Sequence, residues 1–237
     1  MNDYNNPYVS NISSSSKSTR SAIVSRVYLN LTGAVVAYAL LVALIFASVG
    51  VEPILQLFAT GAKATGLIIL ALCFAGPFIG NAILKAFPTR AGQYAVLGYY
   101  VVFETIITLP ILALAAQFFG PSVIWTAVAL SISLFLALSA VVFMTRADFS
   151  FLRAAILFGS IGSFVVILVA LLFGFSLGVW FSAAMVGLAC LYILYETSQI
   201  MRDAEEGLEV LYAINLFTSV VMLFFYILRL VMAMNRE

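Results

Sequence analysis

Seven uninterrupted apolar runs, each long enough to cross a bilayer, constrain this chain more than any motif in it. They cover residues 27–50, 64–86, 93–117, 121–144, 152–174, 176–200 and 209–234. A spanning α-helix needs about 20 mostly apolar residues. The breaks between runs are polar or helix-breaking: Glu52-Pro53, Lys85 to Arg90 with Pro88, Gly120-Pro121, Arg146 to Asp148, Gly174 to Gly178, and Arg202 to Glu206. Inside a bilayer every backbone N–H and C=O must be satisfied within its own segment, so continuous runs of this length read as helices and leave no β-barrel reading. Only 9% of the residues are charged, against roughly 25% in a soluble domain, too few to cover a folded surface in water. The expected fold class is all-α: a polytopic membrane protein with seven transmembrane helices, its first partner the lipid bilayer. The third-to-fourth and fifth-to-sixth connections are very short, which makes those helices antiparallel neighbours.

Residues 1–25 are polar, rich in Asn and Ser, and read as a disordered tail, leaving 26–237 as one seven-helix domain. Basic residues set the orientation. With the amino terminus inside, Lys17, Arg20, Arg26, Lys85, Arg90, Arg146, Arg153 and Arg202 fall on the inner side, and only Lys63, Arg229 and Arg236 on the outer. Seven spans then place the carboxyl terminus outside, unless the last segment is re-entrant.

Several functions are argued against by what is missing. A net charge of +1 gives no case for nucleic acid. The chain has no histidine, which removes Ser-His and Cys-His catalysis and imidazole metal ligation. Cys73 and Cys190 lie inside apolar runs and read as small core residues rather than a disulfide framework. No phosphate loop, Cys/His metal cluster or nucleophile–base pair is visible, so neither an enzyme nor a cofactor is expected.

Ionisable groups inside a membrane are costly, and each is a functional candidate. Glu104 lies ~17 Å into the third span at 1.5 Å per residue. It is either a protonated hydrogen-bond donor or part of a wet cavity. Glu196 lies toward the inner end of the sixth span and Arg229 near the outer end of the seventh, where a long side chain can reach the headgroups. Helical spacing extends each into a polar stripe: Tyr100, Glu104 and Thr108 on the third helix, Tyr192, Glu196, Gln199 and Asp203 on the sixth, and Tyr212, Asn215, Ser219, Met222, Tyr226 and Arg229 on the seventh. Lipid offers such stripes no partner, so these three helices should line a polar core. Its donors are mostly oxygens, which suit a hard cation such as Ca²⁺ in transit; a tight site would want more carboxylates. Gly76 and Gly80, four apart, should seat a neighbouring helix closely, and Pro77 and Pro110 should kink theirs.

The stretch TRADFSFL at 145–152 resembles the connector between the fourth and fifth spans of the Bax inhibitor family, the transmembrane Bax inhibitor motif proteins. LYILYETSQI at 191–200 resembles that family's sixth-span signature, with Tyr195 before the carboxylate Glu196. RVYLNLTG at 26–33, FETIITLPIL at 103–112 and FFYILRLV at 224–231 resemble its first, third and seventh spans. The resemblance, to a bacterial-type member, covers about residues 25–234. It implies a last helix wrapped by the other six, an inner-membrane location, and a pH-sensitive Ca²⁺ leak governed by two aspartates on the sixth and seventh helices. The first aspartate matches Glu196. The second falls at Ser219 when the Tyr226-x-x-Arg229 ends are aligned, or at Tyr212 in a rival register; neither is a carboxylate. The paired latch is therefore broken here, which predicts a shallow pH response.

The residues proposed for an ion path or its gate are thus Glu196, Glu104, Ser219, Tyr195, Asn215 and Arg229. The resemblance also leaves room for a membrane-embedded regulator of an AAA protease or another membrane partner, as some bacterial relatives are, with no ion conduction. A proton-coupled transporter using Glu104 is a third reading.

Overall fold

A computed structural model describes the backbone of residues 7–59 and 62–235, and the side chains of 20–57 and 66–235. The side chains of Lys17 and Lys63, and all of Arg236, counted above for orientation, lie outside the described residues. The described chain is helical throughout, with eight helices: α1 (Pro7–Val49), α2 (Val51–Ala59), α3 (Ala62–Ala86), α4 (Arg90–Phe118), α5 (Pro121–Thr145), α6 (Leu152–Phe173), α7 (Val179–Asp203) and α8 (Glu209–Met234). Seven of them are long and apolar enough to cross a membrane, all but α2. Their bounds match the seven apolar runs to within a few residues, except at the amino terminus. There α1 reaches back to Pro7, through most of the segment expected to be a disordered tail. A helix already nucleated in the apolar run can propagate into poor helix formers at small cost per residue.

The span limits have local causes. α4 opens on Thr89, whose hydroxyl accepts from the Gly92 N–H at 3.3 Å. α5 starts with Pro121 at its first position, where no N–H is needed. α6 ends at Gly174 in the left-handed region (φ 77°), its N–H donating to the Ala170 carbonyl. Trp125 and Trp180, near the starts of α5 and α7, are exposed on the same side of the bundle, as interfacial anchors would be.

α8 is the axis of the bundle. Its apolar window is 61% buried, against 33% or less for every other span, and it packs on α1, α4, α5 and α7. α3 and α6 stand apart from it: α3 leans on α4 and α6, and α6 on α7 and α3. Gly76 and Gly80 provide the α3–α4 seat, a Cβ at Gly76 falling 2.7 Å from the Phe103 ring and one at Gly80 3.1 Å from that of Tyr100.

The end of the bundle that carries the start of α8 is closed. Phe217, Leu216, Ile200 and Val27 are fully buried there in one apolar cluster. Beneath it, the Glu209 carboxylate is 5% exposed and pairs with Arg26 at 3.3 Å and Arg90 at 3.8 Å, while also accepting from the Gly207 N–H at 3.0 Å. The negative charge sits at the helix amino terminus, where the macrodipole favours it. Gln93 adds a hydrogen bond to the Gly207 carbonyl at 2.9 Å. Both arginines are more than half exposed, so most of the stabilisation rests on the buried carboxylate and its backbone donor. Glu209→Ala is expected to lower stability by about 1–2 kcal/mol, read as an earlier thermal unfolding midpoint in detergent; an unchanged midpoint would show that the clamp contributes nothing.

Candidate functional site

Between α8 and the standing-off pair α3–α6 lies a cavity of about 800 Å³. It is lined from α3, α4, α6, α7, α8 and the connection after α6. The three stripes expected from spacing meet here in large part. Tyr100, Glu104 and Thr108 reach it from α4; Tyr192 and Glu196 from α7; Asn215, Ser219, Met222, Tyr226 and Arg229 from α8. The rest of the α7 stripe stays out: Gln199 and Asp203, near the helix end, lie outside the lining, as does Tyr212 of α8.

Ser219 Oγ donates to Glu196 Oε2 at 2.7 Å. In this chain it is Ser219, and not Tyr212, that faces the α7 carboxyl. Tyr212 instead donates to the Asp203 carbonyl at 3.3 Å. Glu104 has no hydrogen bond to its carboxyl among the described residues, while its carbonyl accepts from Thr108 Oγ1 at 2.7 Å. The Tyr38 hydroxyl lies 2.7 Å from the same Thr108 oxygen and ties α1 to α4 beneath the cavity. Tyr192 stands 2.8 Å from Ser160 Oγ, linking α7 to α6.

Arg229 lines the cavity roughly two to three turns further along α8 than Ser219. One of its Nη atoms donates to the Leu177 carbonyl at 3.0 Å, and its guanidinium lies 6.0 Å from the Tyr226 ring centroid. It thus braces the α6–α7 connection, where the sequence suggests a side chain reaching for headgroups. Tyr195, named with the ion-path residues, lies outside the lining of this cavity. Successive residues on a helix point about 100° apart, so the residue next to Glu196 faces elsewhere. Cys73, expected in the core, is exposed and lines the cavity. Spacing offers no polar neighbour on α3 with which to place it.

The cavity holds two carboxyls, several hydroxyls and one amide within mostly apolar and aromatic walls. Among the described residues no group of three or more His, Cys, Asp or Glu could hold a metal ion. A coordination shell of six to eight oxygens is not assembled.

The two motifs richest in polar residues meet at the closed end. Ser198 of α7 accepts from the Phe149 N–H and donates to the Ala147 carbonyl, each at 3.2 Å. Asp148 accepts from the Ser150 N–H at 2.9 Å and forms an ion pair with Arg202. The 145–152 connector is thereby strapped to the end of α7 by residues of both segments. A family model described as "Inhibitor of apoptosis-promoting Bax1" matches residues 20–237. The chain belongs to the Bax inhibitor family. No curated protein matches it. The family match takes in all seven spans and every cavity residue named above, so the cavity belongs to the family domain and not to an addition.

Proposed function

We propose that this family member is a multi-pass protein of a bacterial inner membrane, amino terminus inside, that lets Ca²⁺ or a similar hard cation leak passively through the cavity. The observation that carries this reading is the convergence of Glu104 and Glu196, from different helices, on one cavity with Ser219 and Asn215. Carboxyls inside a span are costly to keep unless they serve a path or a bound cation. Weak oxygen coordination favours passage over retention, because an ion must be able to leave. On this reading the apolar cluster around Phe217 and the Glu209 clamp hold the path shut at the inner face, and opening requires α8 to shift against α1 and α4. The basic residues Arg26, Arg90, Arg146, Arg153 and Arg202 support this choice of inner face. The reading involves no catalysis.

Purified protein in vesicles should admit Ca²⁺ faster than protein-free vesicles, and Glu104→Gln should slow that entry by roughly tenfold while the protein stays folded. Entry no faster than in protein-free vesicles would instead favour a regulator that binds a membrane protease or another membrane partner.

A further inference from the structure

We infer that the cavity is also a binding site for an amphipathic organic cation, a protonated or quaternary amine carrying an aromatic or aliphatic body. This goes beyond passage of an inorganic ion and does not depend on it. Size is the first reason. Ca²⁺ holds its oxygens at about 2.3–2.6 Å, whereas this cavity of about 800 Å³ falls in the roughly 300–1,000 Å³ range of small-molecule sites. The second reason is the character of the walls. They are mainly apolar and aromatic, with Tyr100, Phe103 and Phe225 among them, and the two carboxyls, Glu104 and Glu196, lie among these walls. Aromatic faces attract a cation while also burying an apolar body.

Charge decides the sign of the ligand. Glu104 and Glu196 enter the cavity with one hydrogen bond between them from other side chains, the one from Ser219. A cation beside either carboxyl favours its ionised form, whereas an acidic headgroup would find no opposite charge at this end. Among the described residues the one cationic side chain in the lining, Arg229, is ten residues further along α8 than Ser219, ~15 Å away at the helical rise, and already donates to the Leu177 carbonyl. The two ends therefore differ: an ammonium group fits beside Glu104 and Glu196, and the apolar body extends along α8 toward Arg229. Access has a physical route as well. The outer wall is the α3–α6 pair, whose contacts include the Phe74 and Phe164 rings 5.9 Å apart, and both rings are exposed on the bilayer side. A hydrophobic cation concentrates at a membrane surface and meets that wall from the lipid.

Cys73 supplies a readout separate from flux. In a Cys190→Ala background in lipid nanodiscs, alkylation of Cys73 by N-ethylmaleimide is followed with increasing (2-naphthylmethyl)trimethylammonium, and with 2-neopentylnaphthalene, in which carbon replaces the charged nitrogen. Equilibrium dialysis of the radiolabelled cation is run alongside. The cation should protect Cys73 saturably, and the neutral isostere should need at least roughly tenfold more. Glu104→Gln and Glu196→Gln, each with an unchanged thermal unfolding midpoint, should weaken cation binding by a similar factor and leave the isostere unaffected. Equal protection by the two compounds, or cation binding undiminished in both folded variants, would overturn the proposal. Its failure is distinguishable from failure of the leak: saturable binding in a protein that admits no Ca²⁺ leaves this site standing, and Ca²⁺ entry without binding leaves only the leak.

Discussion

Gly92→Ala should destabilise the protein by about 3 kcal/mol, from a single added methyl group. A Cβ on Gly92 would overlap the Phe87 carbonyl oxygen and sit 2.9 Å from its carbon. These are backbone atoms, and they have little freedom to retreat. The same oxygen accepts from the Thr89 N–H at 2.8 Å, the Phe87 N–H donates to the Ile83 carbonyl at 2.9 Å, and Pro88 fixes the turn between them. Relief requires the α3–α4 turn to open and α4 to lose its Thr89 cap. The thermal unfolding midpoint in detergent should fall by roughly 6–12 °C. Gly98→Ala on the same helix is the control, since a Cβ there meets nothing within 4 Å; its midpoint should hold or rise slightly, as alanine is the better helix former. Equal midpoints for the two variants would show that the turn yields freely.

If the cavity carries the proposed leak, Ser219→Asp should make Ca²⁺ entry strongly pH-dependent where the native protein's entry depends on pH only weakly. In the native chain the α7 carboxyl of Glu196 faces a hydroxyl at 2.7 Å, a group that does not titrate. An aspartate at 219 would put two carboxyls close together, where they share a proton and titrate as a unit. Ca²⁺ entry should then change by roughly tenfold across about two pH units in the variant, and far less in the native protein. Tyr212→Asp tests the rival register. The native Tyr212 side chain is directed to the Asp203 carbonyl and lies outside the cavity, so this variant's pH response should match the native one. A steep native response that survives Glu196→Gln would contradict the pairing.

How much of the fold and the site is legible in the sequence follows from which physical signal each feature leaves. Spans are strongly encoded, because lipid excludes charge over a whole segment, and the seven runs appear as seven helices. The polar stripes are legible for the same reason at finer grain: on α4, α7 and α8 helical periodicity marks ten residues that do line one cavity. The Ser219–Glu196 contact follows from aligning Tyr226 and Arg229, a register that a helix carries rigidly from one end to the other.

Other features leave weaker signals. Glu52-Pro53 reads as a break, yet α2 forms across it, because Pro53 occupies the first turn, where a missing N–H costs nothing. Tyr195 enters the expected path only by its adjacency to Glu196, and adjacency in sequence is divergence on a helix. Cys73 and the α3–α6 wall leave no trace, because apolar residues facing lipid and apolar residues facing a cavity look alike in composition. The Glu209 clamp is also absent from the sequence reading as a site. Its signal is nonetheless there: an acidic residue opens a span on the side where topology gathers Arg26 and Arg90.

The most direct measurement is the initial rate of Ca²⁺ entry into vesicles holding equal amounts of folded native protein and Glu196→Gln. The expected result is entry above the protein-free rate for the native chain and roughly tenfold slower entry for the variant; equal rates for the two proteins would contradict a cation path through this cavity.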